Sequence, residues 1–169
     1  MAYKLQNSYK LLLIISLIIV KFTACSYSFT GASVPAHLKT IFIANVDDRS
    51  GTAEPMLRET FREKLLDKFI KDNTLQFSDR AKSDLILEAT VVALNDAPAA
   101  VSADETIAAR RINISVRVVC KDMIKRKNFY EASFSNYSDY ISASGKKAAI
   151  NEALDKISED ILMKTVSNW

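Results

Sequence analysis

The sequence predicts an α+β fold, a two-layer sandwich in which two helices pack on one face of a small, mainly antiparallel or mixed sheet of four strands. Two segments have the periodicity of amphipathic helices, and strand-like segments lie between them. The clearest strand covers residues 112–120, where aliphatic and polar side chains alternate. The order strand, helix, several strands, helix indicates a single domain over residues 38–169.

Residues 1–24 have the features of a bacterial lipoprotein signal peptide. The apolar block at residues 11–20 is about half as long as a helix that crosses a bilayer, and Lys10 precedes it. The sequence Phe22-Thr23-Ala24-Cys25 follows and resembles a lipobox. In that motif, signal peptidase II cuts before a cysteine that becomes lipid-modified. We therefore expect a covalent diacylglycerol and an acyl chain on Cys25, and no other cofactor.

Two departures from the lipobox pattern leave an alternative open. Phe22 stands where an aliphatic residue is usual, and Lys21 places a charge near the end of the apolar block. Ordinary cleavage near Ala24 would release a soluble exported protein with a free thiol at Cys25. The lipobox interpretation also explains why a cysteine stands here. It predicts a lipidated tether at residues 25–37 that anchors the protein to a membrane without spanning it.

The formal net charge of +3 belongs to the predicted signal peptide, because Lys4, Lys10 and Lys21 account for it and no acidic residue accompanies them. The remaining chain is neutral overall and lacks the positive field that draws proteins to nucleic acid. If Cys25 is acylated, Cys120 is the one cysteine left, so no disulfide can form within the chain. The composition thus argues against a nucleic-acid partner and makes the apolar core the source of stability.

The first strand and the first helix follow the tether. Residues 38–46 are rich in β-branched and aromatic side chains, as strands are, and turn-forming residues 47–51 come next. Thr52 and Pro55 then favour a helix start. Apolar residues recur every four positions after that point, which predicts an amphipathic helix with one buried face. These residues are Leu57, Phe61, Leu65 and Phe69.

The middle of the chain predicts further strands. Residues 75–77 are expected to form a short strand, and residues 85–94 a strand that is covered on both faces. Alanine, aspartate and serine with one proline dominate residues 95–105, which predicts a mobile loop.

A hairpin and a helix complete the domain. A turn at residues 122–128 separates the strand at 112–120 from a second strand at 129–137, so the hairpin has a basic tip. Ser142 or Ser144 can cap the final helix, which is expected to run almost to Trp169.

The sequence offers little for catalysis or for metal binding. His37 is the single histidine and lies in a predicted loop, so we interpret it as a surface residue without a special role. The three glycines are too scattered for a phosphate-binding loop. Asp47 and Asp48 are followed by turn residues rather than by further metal ligands. Cys120 is in phase with aliphatic residues and is expected to be a buried thiol. We predict neither an enzyme nor a metal site.

Positive charge is the remaining local signal. Basic side chains on the strand at 112–120, just before it and at the tip of its hairpin suit phosphate or carboxylate groups. The alternative is a solvated sheet edge, where lysines discourage aggregation. The candidate anion-binding residues are Arg110, Arg111, Arg117, Lys125, Arg126 and Lys127, with Lys121 on the same strand.

Several stretches resemble the LptE family, the lipopolysaccharide-assembly lipoproteins of the outer membrane, in the form found in Bacteroidetes. The resemblance begins at Cys25 and covers essentially all of residues 25–169. It includes LKTIFIANVDDRSG, PMLRETFREKLLDKF, RRINISVRVVCKD and NFYEASFSNYSDY.

The resemblance implies a lipid-anchored protein on the periplasmic side of the outer membrane. Such a protein would plug the β-barrel LptD, assist its assembly and take part in inserting lipopolysaccharide at the cell surface. Ser26 after the cysteine fits this location. The six cationic candidates would then face lipopolysaccharide phosphates. A second interpretation, from another functional class, is a periplasmic lipoprotein adaptor that binds a soluble partner or a cell-wall component.

Overall fold

A computed structural model describes residues 34–101 and 107–167. The predicted signal peptide and residues 25–33 of the predicted tether lie outside this part of the chain. No helix among the described residues is long and apolar enough to cross a membrane.

Six strands and two α-helices make up the described fold. The strands are β1 (Thr40–Ile43), β2 (Asp47–Asp48), β3 (Gln76–Phe77), β4 (Leu85–Val101), β5 (Ile107–Asp122) and β6 (Lys127–Tyr140). The helices are α1 (Leu57–Asp72) and α2 (Lys146–Ser167), and a 3-10 turn at Ala143–Gly145 precedes α2.

The strands form one mixed sheet in the order β3-β1-β4-β5-β6, and β2 pairs with β4 beyond the end of β1. Strand β1 is parallel to β3 and β4, whereas β4, β5 and β6 are antiparallel to one another. The predicted α+β class is confirmed. The predicted number of four strands is corrected to six, because two short segments also join the sheet. Gln76–Phe77 pairs with β1, and Asp47 and Asp48 pair with Thr90 and Val91 instead of forming only a turn.

Strand β4 is longer than the sequence predicts. The expected loop at residues 95–105 is wrong for residues 95–101, which pair with β5 as far as Val101 opposite Ile107. Register shifts flank Ala100, close to Pro98, and such irregularities accommodate a residue that cannot donate a ladder hydrogen bond. Pairing with β5 therefore outweighs the weak strand propensity of this segment.

The core lies between the sheet and the two helices. Alternate residues of β5 point into it, from Ile112 to Cys120, and each is fully buried. Helix α1 buries the four residues that the periodicity predicts: Leu57, Phe61, Leu65 and Phe69. Burying one such large apolar side chain stabilises the fold by about 1.5–3 kcal/mol.

The ends of α1 depend on backbone conformation. The helix begins at Leu57, later than the predicted start near Thr52, and Met56 before it has a φ of 61° with no side-chain cap. At the other end, Asn73 is also left-handed and its N–H donates to the Phe69 carbonyl at 3.1 Å. This is the common way in which a helix satisfies its last carbonyls.

Polar contacts help to attach helix α2 to the edge strand β6. The hydroxyls of Tyr130 and Thr165 are 2.8 Å apart, and Ser138 donates to Glu152 at 2.8 Å. Lys156 on α2 donates to the Tyr137 carbonyl of β6 at 3.2 Å. These contacts position the β5–β6 hairpin, which carries the cationic candidates.

Candidate functional site

The structure separates the six cationic candidates into two groups. Arg110, Arg111 and Arg117 lie along β5, whereas Lys125, Arg126 and Lys127 lie at the turn between β5 and β6. At about 3.3 Å per residue, Arg110 is roughly 40 Å from the end of β5. The six residues therefore cannot contact one small ligand together.

Arg110 is bound to its neighbours at the base of the hairpin. Its Nε donates to Asp96 at 2.8 Å and to the Tyr140 hydroxyl at 3.0 Å, and that hydroxyl donates to Asp96 at 2.7 Å. Burial alone raises the pKa of Asp96, but the hydrogen bonds from Tyr140 and Arg110 hold it below its usual value. The Arg110 charge is thus balanced by a carboxylate.

The other two arginines also have carboxylate partners, both on β6. Arg111 donates twice to Asp139, at 2.7 and 2.8 Å, and lies 4.0 Å from the ring centre of Tyr137. Arg117 donates to Glu131. The two-pronged bond from Arg111 holds the pKa of Asp139 below its usual value. The positive charges of these two arginines are therefore balanced by carboxylates of β6.

The turn at residues 123–127, which we name the basic tip, has a different character. The side chains of Lys125, Arg126 and Lys127 are exposed, and none makes a hydrogen bond or ion pair with another described residue. Met123 and Ile124 beside them are 45% and 53% exposed. The basic tip therefore presents three cationic groups next to two apolar side chains.

The buried carboxylate of Asp122 is hydrogen-bonded to the backbone of the basic tip. Asp122 is 2% exposed and accepts hydrogen bonds from His37 Nε2 at 2.9 Å and from the Lys125 N–H at 2.7 Å. Burial alone raises the pKa of Asp122, but these bonds hold it below its usual value. The interpretation of His37 as a surface residue without a role is corrected. It has a buried partner that lies 85 positions away in the sequence.

Groups suited to metal binding do not converge in the described part of the chain. No three histidine, cysteine, aspartate or glutamate side chains there are placed to hold a metal ion. Asp47 pairs with Arg49 at 3.0 Å, and Asp48 accepts from the Ser50 N–H at 2.9 Å. The predicted burial of Cys120 is confirmed, and desolvation raises the pKa of its thiol to about 12.

The family model for LptE, described as lipopolysaccharide-assembly, matches residues 38–165. The chain belongs to the LptE family. This match confirms the resemblance seen in the sequence, and it makes the protein a lipoprotein of the cell envelope that acts in lipopolysaccharide assembly. The matched region includes β1 to β6 and nearly all of α2.

Solved structures share the fold at low sequence identity. The hypothetical protein CT253 from Chlamydia trachomatis has a TM-score of 0.60 and 10% identity, over 75% of this chain and 95% of that one. Protein XCC0632 from Xanthomonas campestris has a TM-score of 0.59 and 12% identity, over 81% and 91%. A protein from Caulobacter crescentus CB15 has a TM-score of 0.50 and 15% identity, over 73% and 86%. A comparison with curated protein sequences finds no match.

Proposed function

We propose that a lipid on Cys25 anchors this protein to the periplasmic side of the outer membrane. There it plugs the β-barrel LptD, assists its assembly and takes part in inserting lipopolysaccharide at the cell surface. The observation that carries this proposal is the LptE match over residues 38–165. The balanced charges of the hairpin base are consistent with a protein whose main partner is another polypeptide.

Within this function, the basic tip is the surface that contacts lipopolysaccharide. Phosphate groups need cationic partners. The side chains of Lys125, Arg126 and Lys127 are not bonded to any described residue, so they can bind phosphate without breaking another bond. Met123 and Ile124 add exposed apolar surface for acyl chains. The strand arginines contribute less, because their charges are already balanced by neighbouring carboxylates.

The backbone at Arg126 supports a role for its side chain. Its φ of 53° lies in the left-handed region, which costs a residue with a side chain roughly 1–2 kcal/mol and costs glycine almost nothing. A turn selected only for stability would favour glycine or asparagine at this position.

The test of the partner is a mild-detergent purification of the tagged full-length chain from native membranes, followed by mass spectrometry. A stoichiometric outer-membrane barrel is expected. If the protein stays in the membrane fraction but no barrel accompanies it, the plug role is wrong and the adaptor interpretation replaces it.

The test of the basic tip uses the same purification and a triple variant, Lys125→Gln, Arg126→Gln and Lys127→Gln. The barrel should be retained, while the lipopolysaccharide that accompanies it falls tenfold or more because three cationic contacts are lost. The matched control is Arg110→Gln, Arg111→Gln and Arg117→Gln, which removes the same number of positive charges from β5. Equal losses from both variants would show that total charge matters and that the tip does not.

A further inference from the structure

We propose that His37 and Asp122 form a latch that joins the basic tip to residues 34–39, the segment through which the chain enters the domain. This inference rests on the proposed function of the tip, because it assigns the residues that position it. His37 and Asp122 are positioning residues, and neither needs to touch the ligand.

The Asp122 side chain uses both of its oxygens in this latch. One oxygen accepts from the Lys125 N–H at 2.7 Å and closes the turn, while the other accepts from His37 at 2.9 Å. A buried carboxylate is costly unless hydrogen bonds satisfy it, and Asp122 is 2% exposed. The turn and the imidazole are therefore held through one buried group.

A second aspartate ties the same two segments together. Asp84 accepts from the N–H groups of Lys39 at 2.8 Å and Thr40 at 3.0 Å, and its carbonyl accepts from the Met123 N–H at 2.8 Å. Leu85, the next residue, lies opposite Asp122 in the β4–β5 register. Asp84, just before β4, thus joins the entry segment to Met123, the first residue of the tip.

The charges around the latch explain why a histidine suits it. His37 lies near the carboxylates of Asp84 and Asp122, and the basic residues nearest in sequence to His37 and to Asp122 are Lys39 and Lys121. An imidazole can donate to Asp122 in its neutral or its charged form. Without that donor, one oxygen of a buried carboxylate is unsatisfied, and the turn bonded to the other oxygen becomes less fixed. The tip then loses the preorganisation that favours ligand binding.

Hydrogen–deuterium exchange of the full-length chain in detergent tests the latch without any ligand. His37→Ala should speed exchange of the Lys125 amide about fivefold, as expected for the loss of one hydrogen bond. His37→Gln should restore slow exchange, because its side-chain amide can also donate. Lys39→Ala is the matched control and should change nothing, since only the backbone of Lys39 bonds to Asp84. Unchanged exchange in the His37→Ala protein overturns the latch.

A double-mutant cycle shows whether His37 acts through Asp122. In an Asp122→Asn background, His37→Ala should have little further effect on exchange. An undiminished effect there overturns the latch. If the alanine variant does not fold, His37→Asn makes the same comparison, because its shorter amide does not reach Asp122.

Binding of each variant to phosphatidylcholine vesicles containing lipid A separates this inference from the proposed function. A latch that acts on ligand binding predicts a severalfold weaker affinity for His37→Ala. One outcome is that exchange of the Lys125 amide rises in His37→Ala while lipid A binding is unchanged both in that protein and in the triple variant of the basic tip. In that case the latch stands and the tip's ligand role is wrong. If binding to lipid A is lost only in the triple variant of the basic tip, and amide exchange is unchanged in His37→Ala, the tip's role stands and the latch is wrong.

Discussion

The two ends of the β5–β6 hairpin carry similar positive charge but have different surroundings. At the base, Arg110 and Arg111 are each bonded to a carboxylate from a neighbouring strand. At the tip, three successive cationic side chains have no described partner. A basic residue is thus available for binding where no carboxylate is bonded to its side chain. The base stabilises the hairpin and the tip remains open to a ligand.

The largest effect is expected from breaking the base at Asp96. Asp96→Ala removes the acceptor shared by Arg110 and Tyr140, which should lower the free energy of unfolding by about 1–2 kcal/mol at neutral pH. Lipopolysaccharide retention should not change. Chemical denaturation and the native purification measure the two quantities. A loss of lipopolysaccharide without a loss of stability would reverse the roles assigned to base and tip.

The pH dependence of this variant follows from the lowered pKa of Asp96. Between the unfolded-state pKa of about 4 and the lower folded-state value, the unfolded chain binds more protons. The stabilisation by Asp96 is therefore present above about pH 4 and is lost as the pH falls through the folded-state pKa. The unfolding curves of the wild type and the variant should converge in acid. A constant difference from pH 7 to pH 2 would contradict this.

Adding an acidic neighbour to the tip should make it resemble the base. Asn128→Asp places a carboxylate beside Lys127 along the chain and opposite Lys121 in the β5–β6 register, with almost no change in size. Lipopolysaccharide retention should fall severalfold because the added negative charge repels phosphate. Asn113→Asp on β5 is the matched control, since it makes the same change on the strand. If the control lowers retention equally, the effect is one of net charge.

Relieving the strained turn should separate stability from binding. Arg126→Gly removes the cost of the positive φ and should raise the free energy of unfolding by up to about 1 kcal/mol. Retention of lipopolysaccharide should nevertheless fall, because one of three cations is lost. The comparison is Arg126→Gln, which loses the charge and keeps the strain. A glycine variant that is both more stable and fully active would remove the argument from strain.

The smallest effect is expected from Arg117→Gln. Its ion pair with Glu131 is exposed, and such pairs contribute about 0–1 kcal/mol. The free energy of unfolding should fall by no more than about 1 kcal/mol, and lipopolysaccharide retention should change by less than about twofold. A large loss of retention would mean that the open face of the sheet takes part in binding.

Local patterns predict the fold well where burial dictates the sequence. The alternation at residues 112–120 and the fourfold spacing from Leu57 to Phe69 match β5 and α1, because each position faces either the core or solvent. The extension of β4 over residues 95–101 has no such pattern. It is held by pairing with β5, which no local segment reveals.

The candidate site is only partly predictable for a related reason. The basic residues are visible in the sequence, but their partners are not, because the hairpin register decides which acid faces which arginine. Asp139 lies directly opposite Arg111. Counting back from the turn would misplace that pair, since a register shift after Cys120 moves the strands by one residue. The contact of His37 with Asp122 depends on tertiary packing and has no sequence signal.

The lysine of α2 that reaches the Tyr137 carbonyl also affects how the molecule meets its own copies. Strand β6 is long, ends the sheet and contains no proline, so its outer backbone could template another strand. Lys156 donates to the Tyr137 carbonyl of this strand and brings a charge to the rim. A strand from another molecule would have to displace that charge before it could form backbone hydrogen bonds along the edge. A single ammonium group can therefore act as a gatekeeper against polymerisation when many copies are crowded together.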